Sequence, residues 1–345
     1  MLNKNISFQP KKVAKKIISH LHERAQDIIM NRFGLNADAE RKTLEEIGKK
    51  YDITRERVRQ IESASLKLIK KSKLYTEERE VFEELKKLIH SLGSIVSESD
   101  LLAHISKDKV TQNYIHFFLV LDDYFKKHYD DEHFEARWSI DDKMADQIHD
   151  GLKKLYSGLK DDEVLPESEL IKKFFDKMKD VSDQYRNEEI ARRWLRISKN
   201  IAQNPFGEWG KASSNNITIR GVKDYAYLVM AKNGSPMHFR EVVDAIMKTS
   251  GKKVNYATCH NELIKDSRFV LVGRGLYALA EWGYKSGIAR EVITDILKKE
   301  SPLSKEEIVN RVMKERYFKK NTILVNLANS KYFKRTETGF YALAS

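Results

Sequence analysis

The 345-residue chain has a single cysteine, Cys259. An intramolecular disulfide is therefore excluded, and there is no cysteine cluster to bind zinc. No run of about 18 apolar residues occurs, so no membrane-spanning helix is expected. The opening MLNKNISFQPKKVAKK has neither an apolar signal core nor a cleavage-like site. These absences point to a reducing, cytoplasmic setting and no membrane partner. Also missing are a Walker phosphate loop, a GxSxG elbow and a catalytic setting around Cys259. His20 and His22, two apart on a predicted helix, face different directions. His128 and His133 flank Asp130, Asp131 and Glu132, which read as a solvated acidic turn because no helical HxxxH or paired liganding element supports a metal site. Asp122 and Asp123 lack the lysine and strand pattern of a nuclease. No catalytic residue, cofactor or metal is expected.

What is present is positive charge, unevenly placed. The net charge is +12, yet residues 1–73 hold 18 Lys and Arg against 9 Asp and Glu, a net of +9 that leaves +3 for the other 272 residues. A merely solvated lysine-rich surface would spread its charge more evenly. Concentration in one short segment favours a polyanion such as double-stranded DNA. At this length, two to four modules are expected, and 41% hydrophobic residues provide a core for each.

Within the basic segment, Val13, Ile17, Leu21, Ala25, Ile28 and Ile29 recur at helical spacing and predict one supporting helix over 13–31. Thr43-Leu44-Glu45-Glu46 is a capping box that opens a short helix, 44–50. Tyr51-Asp52-Ile53 makes a tight connection, and Thr54 caps a second helix running to about Lys71. This is a helix-turn-helix. On the second helix Val58, Ile61, Ser65 and Leu68 are predicted to pack inward, leaving Arg55, Glu56, Arg59, Gln60 and Ser63 outward. Arginine can fork onto guanine, glutamate can accept from the cytosine amine, and glutamine can pair with adenine, so Arg55, Glu56, Arg59 and Gln60 are candidate base readers. Thr54, Arg57, Lys67, Lys70 and Lys71 are candidates for phosphate contact. The same Arg and Glu pattern also makes intrahelical ion pairs on any exposed helix.

RFGL (32–35) and TLEEIGKKYDITRERVRQIESASLKLI (43–69) resemble region 4 of the sigma-70 family. In that family TRERxRQIE opens the helix that reads the promoter minus-35 element. The resemblance implies base contacts by Arg55, Glu56 and Gln60, with Arg57 and Arg59 on or near the backbone, and docking on the beta flap of RNA polymerase. Almost nothing precedes the module, whereas a complete sigma factor needs upstream domains. A bacterial, nucleoid-associated regulator of transcription initiation is therefore expected, or alternatively a polymerase accessory subunit acting mainly through protein contacts.

The rest of the chain repeats itself. SPMHFREVVDAIM (235–247) aligns with SPLSKEEIVNRVM (301–313), and SRFVLVGRGLYALA (267–280) with KYFKRTETGFYALA (331–344), offsets of 66 and 64. Each copy reads as a helix (222–232; 288–299), a Ser-Pro corner, two more helices and a glycine-turned hairpin, which together make a winged helix. Weaker copies follow helices predicted at 79–92 and 143–156, the latter with a further helix at 187–202 and NPFGEWGK as a degenerate wing. The predicted fold is mainly α: a helix-turn-helix (1–74), then winged-helix-like units at 75–141, 142–212, 213–284 and 285–345, with KASSNNITIRG (211–221) as a linker or packed extended segment. Phe269, Tyr277, Phe333 and Tyr341 are expected to close cores. Residues 222–284, through PMHFREVVDAIM and SRFVLVGRGLYALAEWG, resemble the HARE-HTH winged helix also found at the front of the polymerase delta subunit. That resemblance implies either DNA or polymerase contact. Third helices of winged domains present polar residues to DNA. Lys319, Lys320 and Asn321, with Asn326, are secondary DNA candidates, and Asn255, Thr258, His260, Asn261 and Lys265 form a poorer set.

Overall fold

The computed structural model describes residues 6–178, 183–284, 289–315 and 318–344. The chain divides into two compact units, one running to Ala202 and including Trp209–Ser213, the other comprising Gln203–Glu208 and Ser214–Ser345. Each is a run of small helical modules.

The first unit opens with α1 (Pro10–Ile18), α2 (Glu23–Phe33), α3 (Leu44–Tyr51), α4 (Arg55–Lys71) and α5 (Lys73–Glu77). The single helix expected over 13–31 is in fact two. The chain turns at Ser19–His22, and the Gln26 amide donates to the carbonyls of Ser19 (3.1 Å) and Leu21 (2.6 Å), satisfying acceptors that a broken helix would leave bare. His20 and His22 therefore sit in the break. The apolar stripe survives it, with Ile17, Leu21, Ile28 and Ile29 all buried.

Next come α6 (Arg79–Ser91), β1 (Ile95–Ser97), α7 (Glu98–Ile105), α8 (Lys109–Leu121), β2 (Lys126–His128) and β3 (Arg137–Ser139), with antiparallel strand order β1-β3-β2. A second copy of this plan is α9 (Asp142–Gly158), β4 (Leu165–Pro166), α10 (Glu167–Lys177), α11 (Glu188–Leu195), β5 (Ile201–Gln203) and β6 (Glu208–Lys211), ordered β4-β6-β5. The helix expected over 187–202 thus ends at Leu195. Ile197 and Ser198 donate to the carbonyls of Trp194 and Leu195 in a closing turn, and the chain then enters β5. The NPFGEWGK segment is a regular wing rather than a degenerate one.

In the second unit α12 (Val222–Asn233), β7 (Met237–His238), α13 (Phe239–Ser250), α14 (Tyr256–Lys265), β8 (Phe269–Gly273) and β9 (Leu276–Leu279) form the order β7-β9-β8. Finally α15 (Ala289–Lys299), α16 (Lys305–Glu315), α17 (Lys320–Leu327), β10 (Phe333–Arg335) and β11 (Tyr341–Leu343) repeat the plan, with a Leu303–Tyr341 bridge standing where the other copies have a first strand. The expected start of α15 at Ile288 lies outside the described residues. The mainly α fold with small hairpin wings is as the sequence predicts. Phe269, Tyr277 and Phe333 are buried and Tyr341 is half-buried against the last core. In the segment 211–221, Ile217 is buried, so that stretch is packed.

One continuous core joins the helix-turn-helix to the first winged module. Ile17, Ile18, Ile29 and Phe33 from α1 and α2, with Leu35 just beyond the α2 cap, meet Tyr114, Ile115, Phe117, Phe118 and Leu121 from α8. Burial of each large side chain there stabilises by roughly 1.5–3 kcal/mol. Polar bonds set the register of this seam. The Asn113 amide donates to the carbonyls of Gly34 (2.9 Å) and Ala39 (3.0 Å) and accepts from Arg41 Nε (2.8 Å), while the Tyr114 hydroxyl donates to the Leu35 carbonyl (2.7 Å). Gly34 caps α2 at φ 62°, and a Cβ there would lie 2.6 Å from Asn113 Nδ2. The second seam is similar: Trp194 Nε1 donates to the Gly93 carbonyl (3.1 Å), and Arg193 meets Asp100 at 2.6 Å.

Two histidines of this unit are held neutral. His116 is buried between the Phe33 and Trp138 rings, and burial, reinforced by the nearby Arg41 charge, pushes it down to about 3. His149 accepts from Arg137 Nε at 2.7 Å, and burial together with that guanidinium pushes it down to about 4. In the unfolded chain both take up a proton as pH falls below 6.5. Because the unfolded state then binds more protons than the folded one, stability falls with pH from about 6.5 to about 4. Thermal midpoints of the full chain are expected to drop across that window, and His149→Gln is expected to flatten the dependence.

Candidate nucleic-acid interface

A small core of Ile28, Ile47 and Val58, flanked by Leu44, Tyr51, Ile53 and Ile61, clamps α2, α3 and α4 together. The capping box forms as predicted, with Glu46 N donating to Thr43 Oγ1 (3.2 Å) and Thr43 N to Glu46 Oε2 (2.7 Å). The turn uses Asp52 in the left-handed region at φ 51°, and Ile53 N donates back to the Gly48 carbonyl at 3.0 Å. Gly48 is required by closeness: an added Cβ would lie 2.7 Å from the Ile53 carbonyl oxygen. Asp27 binds α2 to α3 by accepting from Lys50 Nζ (2.5 Å) and the Tyr51 hydroxyl, and it also accepts from Asn31 Nδ2 of its own helix (2.8 Å). Neither Gly48 nor Asp27 was singled out by periodicity. The only signal was a glycine inside an otherwise helical stretch just before the turn.

On α4 the buried residues are Val58, Ser65 and Ile69. Leu68, expected inward, is 57% exposed. The helical repeat explains the exchange: eleven residues on from Val58 the helix has returned to about 20° from the same direction, whereas ten residues on it is about 80° away. Thr54 is the N-cap, its hydroxyl accepting from Arg57 N at 3.2 Å. Arg55, Glu56, Arg57, Arg59, Gln60, Lys67 and Lys71 are all exposed along one side and the tip of the helix. They are not idle. Arg59 forks onto Glu56 (2.6 and 2.9 Å), and Arg57 Nη1 donates to Gln60 Oε1 at 3.2 Å. The Arg59 bond holds the Glu56 carboxyl below its ordinary range, so Glu56 is an acceptor at neutral pH. Lys70 is set apart: it is half-buried and paired with Asp123 at 2.5 Å across the first seam.

The third helices of the four winged modules are used differently. On α8, eight residues from Asn113 to Leu121 are buried in the first seam. On α11, Arg192 forks onto Glu167 and Arg193 is tied to Asp100 and Glu189. On α14, Asn255 is an N-cap accepting from Ala257 N (2.8 Å), and the His260 ring stacks on Phe239 at 4.6 Å. Thr258, Asn261 and Lys265 are exposed. On α17, Lys319, Lys320 and Asn321 are exposed, whereas Asn326 donates to the Thr322 carbonyl of its own helix. His238 is an N-cap, in a capping box with Glu241. Cys259 is buried, which pushes its thiol up to about 11. His128 bonds Ser139 Oγ, and Asp131 accepts from the amides of His133 and Phe134 and from Arg137, which organises the wing turn. Among the described residues no group of three or more His, Cys, Asp or Glu could hold a metal, and no helix is long and apolar enough to cross a membrane.

The helix-turn-helix geometry coincides with a family match. Residues 17–71 carry a sigma-70 region 4 module. Residues 220–282 match HARE-HTH, the HTH domain named for ASXL proteins and restriction endonucleases among others, so the third winged module belongs to that type. The region 4 module is 48% identical over 56 residues to RNA polymerase sigma factor RpoD of Helicobacter pylori, covering 16% of this chain and 8% of the relative. Over 55 residues it is 44% identical to RNA polymerase sigma factor SigA of Clostridium acetobutylicum, covering 16% and 14%. For SigA of Nostoc sp. the identity is 43% over 56 residues, again covering 16% and 14%. The matched stretch is thus a small fraction of each of these relatives.

Gly48→Ala is expected to force α3 away from the turn and destabilise the region 4 module by about 1–3 kcal/mol. Denaturant unfolding of the full chain, followed beside a Gly221→Ala control at a position with open space around it, measures the difference.

Proposed function

We propose that this protein is a DNA-binding transcription factor that reads minus-35-like promoter duplex through α4 and acts with RNA polymerase during initiation, in the cytoplasm of a bacterium. The observation that carries the reading is the outward face of α4, where Arg55, Glu56, Arg59 and Gln60 stand exposed at the tip of a helix whose opposite side is locked into the module core. These side chains match the hydrogen-bonding edges of guanine, cytosine and adenine in the major groove. Thr54, Arg57, Lys67 and Lys71 border that face at positions suited to phosphate oxygens. Lys70 is a weaker phosphate candidate because Asp123 already neutralises it. The relatives named as RNA polymerase sigma factors support the link to transcription.

A second reading, a polymerase accessory subunit working mainly through protein contacts, draws support from α8 and α11, whose polar and apolar faces are largely taken up in the two seams. Those modules act as scaffold in either reading. For the beta flap, the apolar sides of α1 and α2 are already covered by α8 within the chain, so polymerase would meet other surface of this module.

Arg55→Ala and Gln60→Ala are each expected to cost about 1–3 kcal/mol of duplex affinity and to relax base preference at one position, whereas Lys71→Ala weakens all sequences alike. Binding selection with randomised duplexes measures both; preference unchanged in Arg55→Ala would sink the base-reading assignment. Purification of the intact protein from its host with and without nuclease ranks the two readings, since polymerase retained after nuclease favours the accessory role.

A further inference from the structure

We infer that the last winged module is a second duplex-DNA reader, independent of α4, with α17 entering the major groove and the β10 wing resting on the backbone. The first observation is charge. From Arg316 to Thr336 the sequence holds Arg316, Lys319, Lys320, Lys331, Lys334 and Arg335 and no acidic residue. A polyanion laid along that stretch meets basic side chains, with Glu315 and Glu337 at its two ends. The matching stretch of the preceding module, 252–270, interleaves Glu262 and Asp266 with its basic residues, and Arg268 is committed to Asp266 and Asp224.

The second observation is what α17 does with its faces. Only Ile323 and Leu327 are buried. On the helical repeat, the direction opposite to them is occupied by Asn321, Thr322 and Val325. Val325 is 72% exposed. In the groove these residues have fitting partners: the Asn amide pairs with adenine, while the Thr and Val methyls pack on the thymine methyl. Lys319 and Lys320 stand at the start of the helix, and Lys331 and Arg335 lie exposed at the following turn and on β10, where they would flank the groove. The face is therefore apolar and amide in the middle and cationic at its edges, which suits A·T-containing duplex. The third helices α8 and α11 of the first unit have no comparable free face.

The test uses the full chain carrying Arg55→Ala and Gln60→Ala, so that loss at α4 and loss at α17 are read separately. The probes are A·T-rich and G·C-rich duplexes of about three helical turns and a single-stranded RNA of the same length. The expected results are retained binding to the A·T-rich duplex and a drop of about tenfold or more on adding Lys319→Ala and Lys320→Ala. The slope of log affinity against log salt should also become shallower by about 1.8, the loss of two phosphate contacts. Lys319→Arg with Lys320→Arg keeps the charge and is expected to retain binding, and Asn321→Ala to erase the preference for A·T. Unchanged affinity and slope in the double-alanine variant, or tighter binding of the RNA than of either duplex, would overturn the inference. A circular dichroism melt of each variant identifies unfolding, in which case Val325→Lys, a change on the exposed face that adds charge, is read in its place: loss of the A·T preference supports the site and its persistence overturns it.

Discussion

The first unit depends on the burial of one helix, α8, against α1 and α2. A winged helix normally leaves its third helix at the surface, but here the run Tyr114-Ile115-His116-Phe117-Phe118-Leu119 is apolar around most of its circumference and has to be covered. The supporting helices of the region 4 module cover it. Asn113 and Tyr114 then fix the register by bonding the carbonyls of Gly34, Ala39 and Leu35. The same contact removes the charge of His116, whose burial would be costly if protonated. The region 4 module and the first winged module are consequently one folding body.

Repetition with divergence describes the four winged modules. The plan of helix, short strand, two helices and hairpin is kept, and the last two copies close their cores with the same aromatic positions, Phe269 and Tyr277 in one and Phe333 and Tyr341 in the next. What changes is the outer face of the third helix. In α8 it is apolar and internalised, in α11 its arginines are spent on carboxylates, in α14 it is mixed, and in α17 it is amide, methyl and lysine. A scaffold that needs no third helix outside its own core leaves that helix free to vary.

Much of this was legible in the residues themselves. The Thr43/Glu46 capping box, the Thr54 cap, the repeated Ser-Pro corners and the hairpin aromatics carry their geometry locally, and each formed where the pattern placed it. The misreadings arose where distant partners decide. Leu68 was a different kind of slip, since the helical repeat carried on from Val58 and Ser65 already turns Ile69, and not Leu68, inward. The break at Ser19–His22 depends on Gln26 reaching back to two carbonyls, which periodicity cannot register. Lys70 looks like its neighbours Lys67 and Lys71 until Asp123, more than fifty residues later, claims it. Gly48 showed only as a weak helix former, although its lack of a side chain is what lets the turn close.

The Glu56–Arg59 fork bears on the proposed reading of DNA by α4. Within the helix itself each side chain already has a good partner one turn away. Engaging a base edge therefore exchanges one charge-assisted bond for another and adds little net attraction. A wrong base leaves the two side chains content with each other and offers nothing in return. If α4 reads DNA as proposed, the pair competes with the base edge for the same donors and acceptors, weakly because both side chains are exposed, and so biases the helix toward base pairs that satisfy both groups.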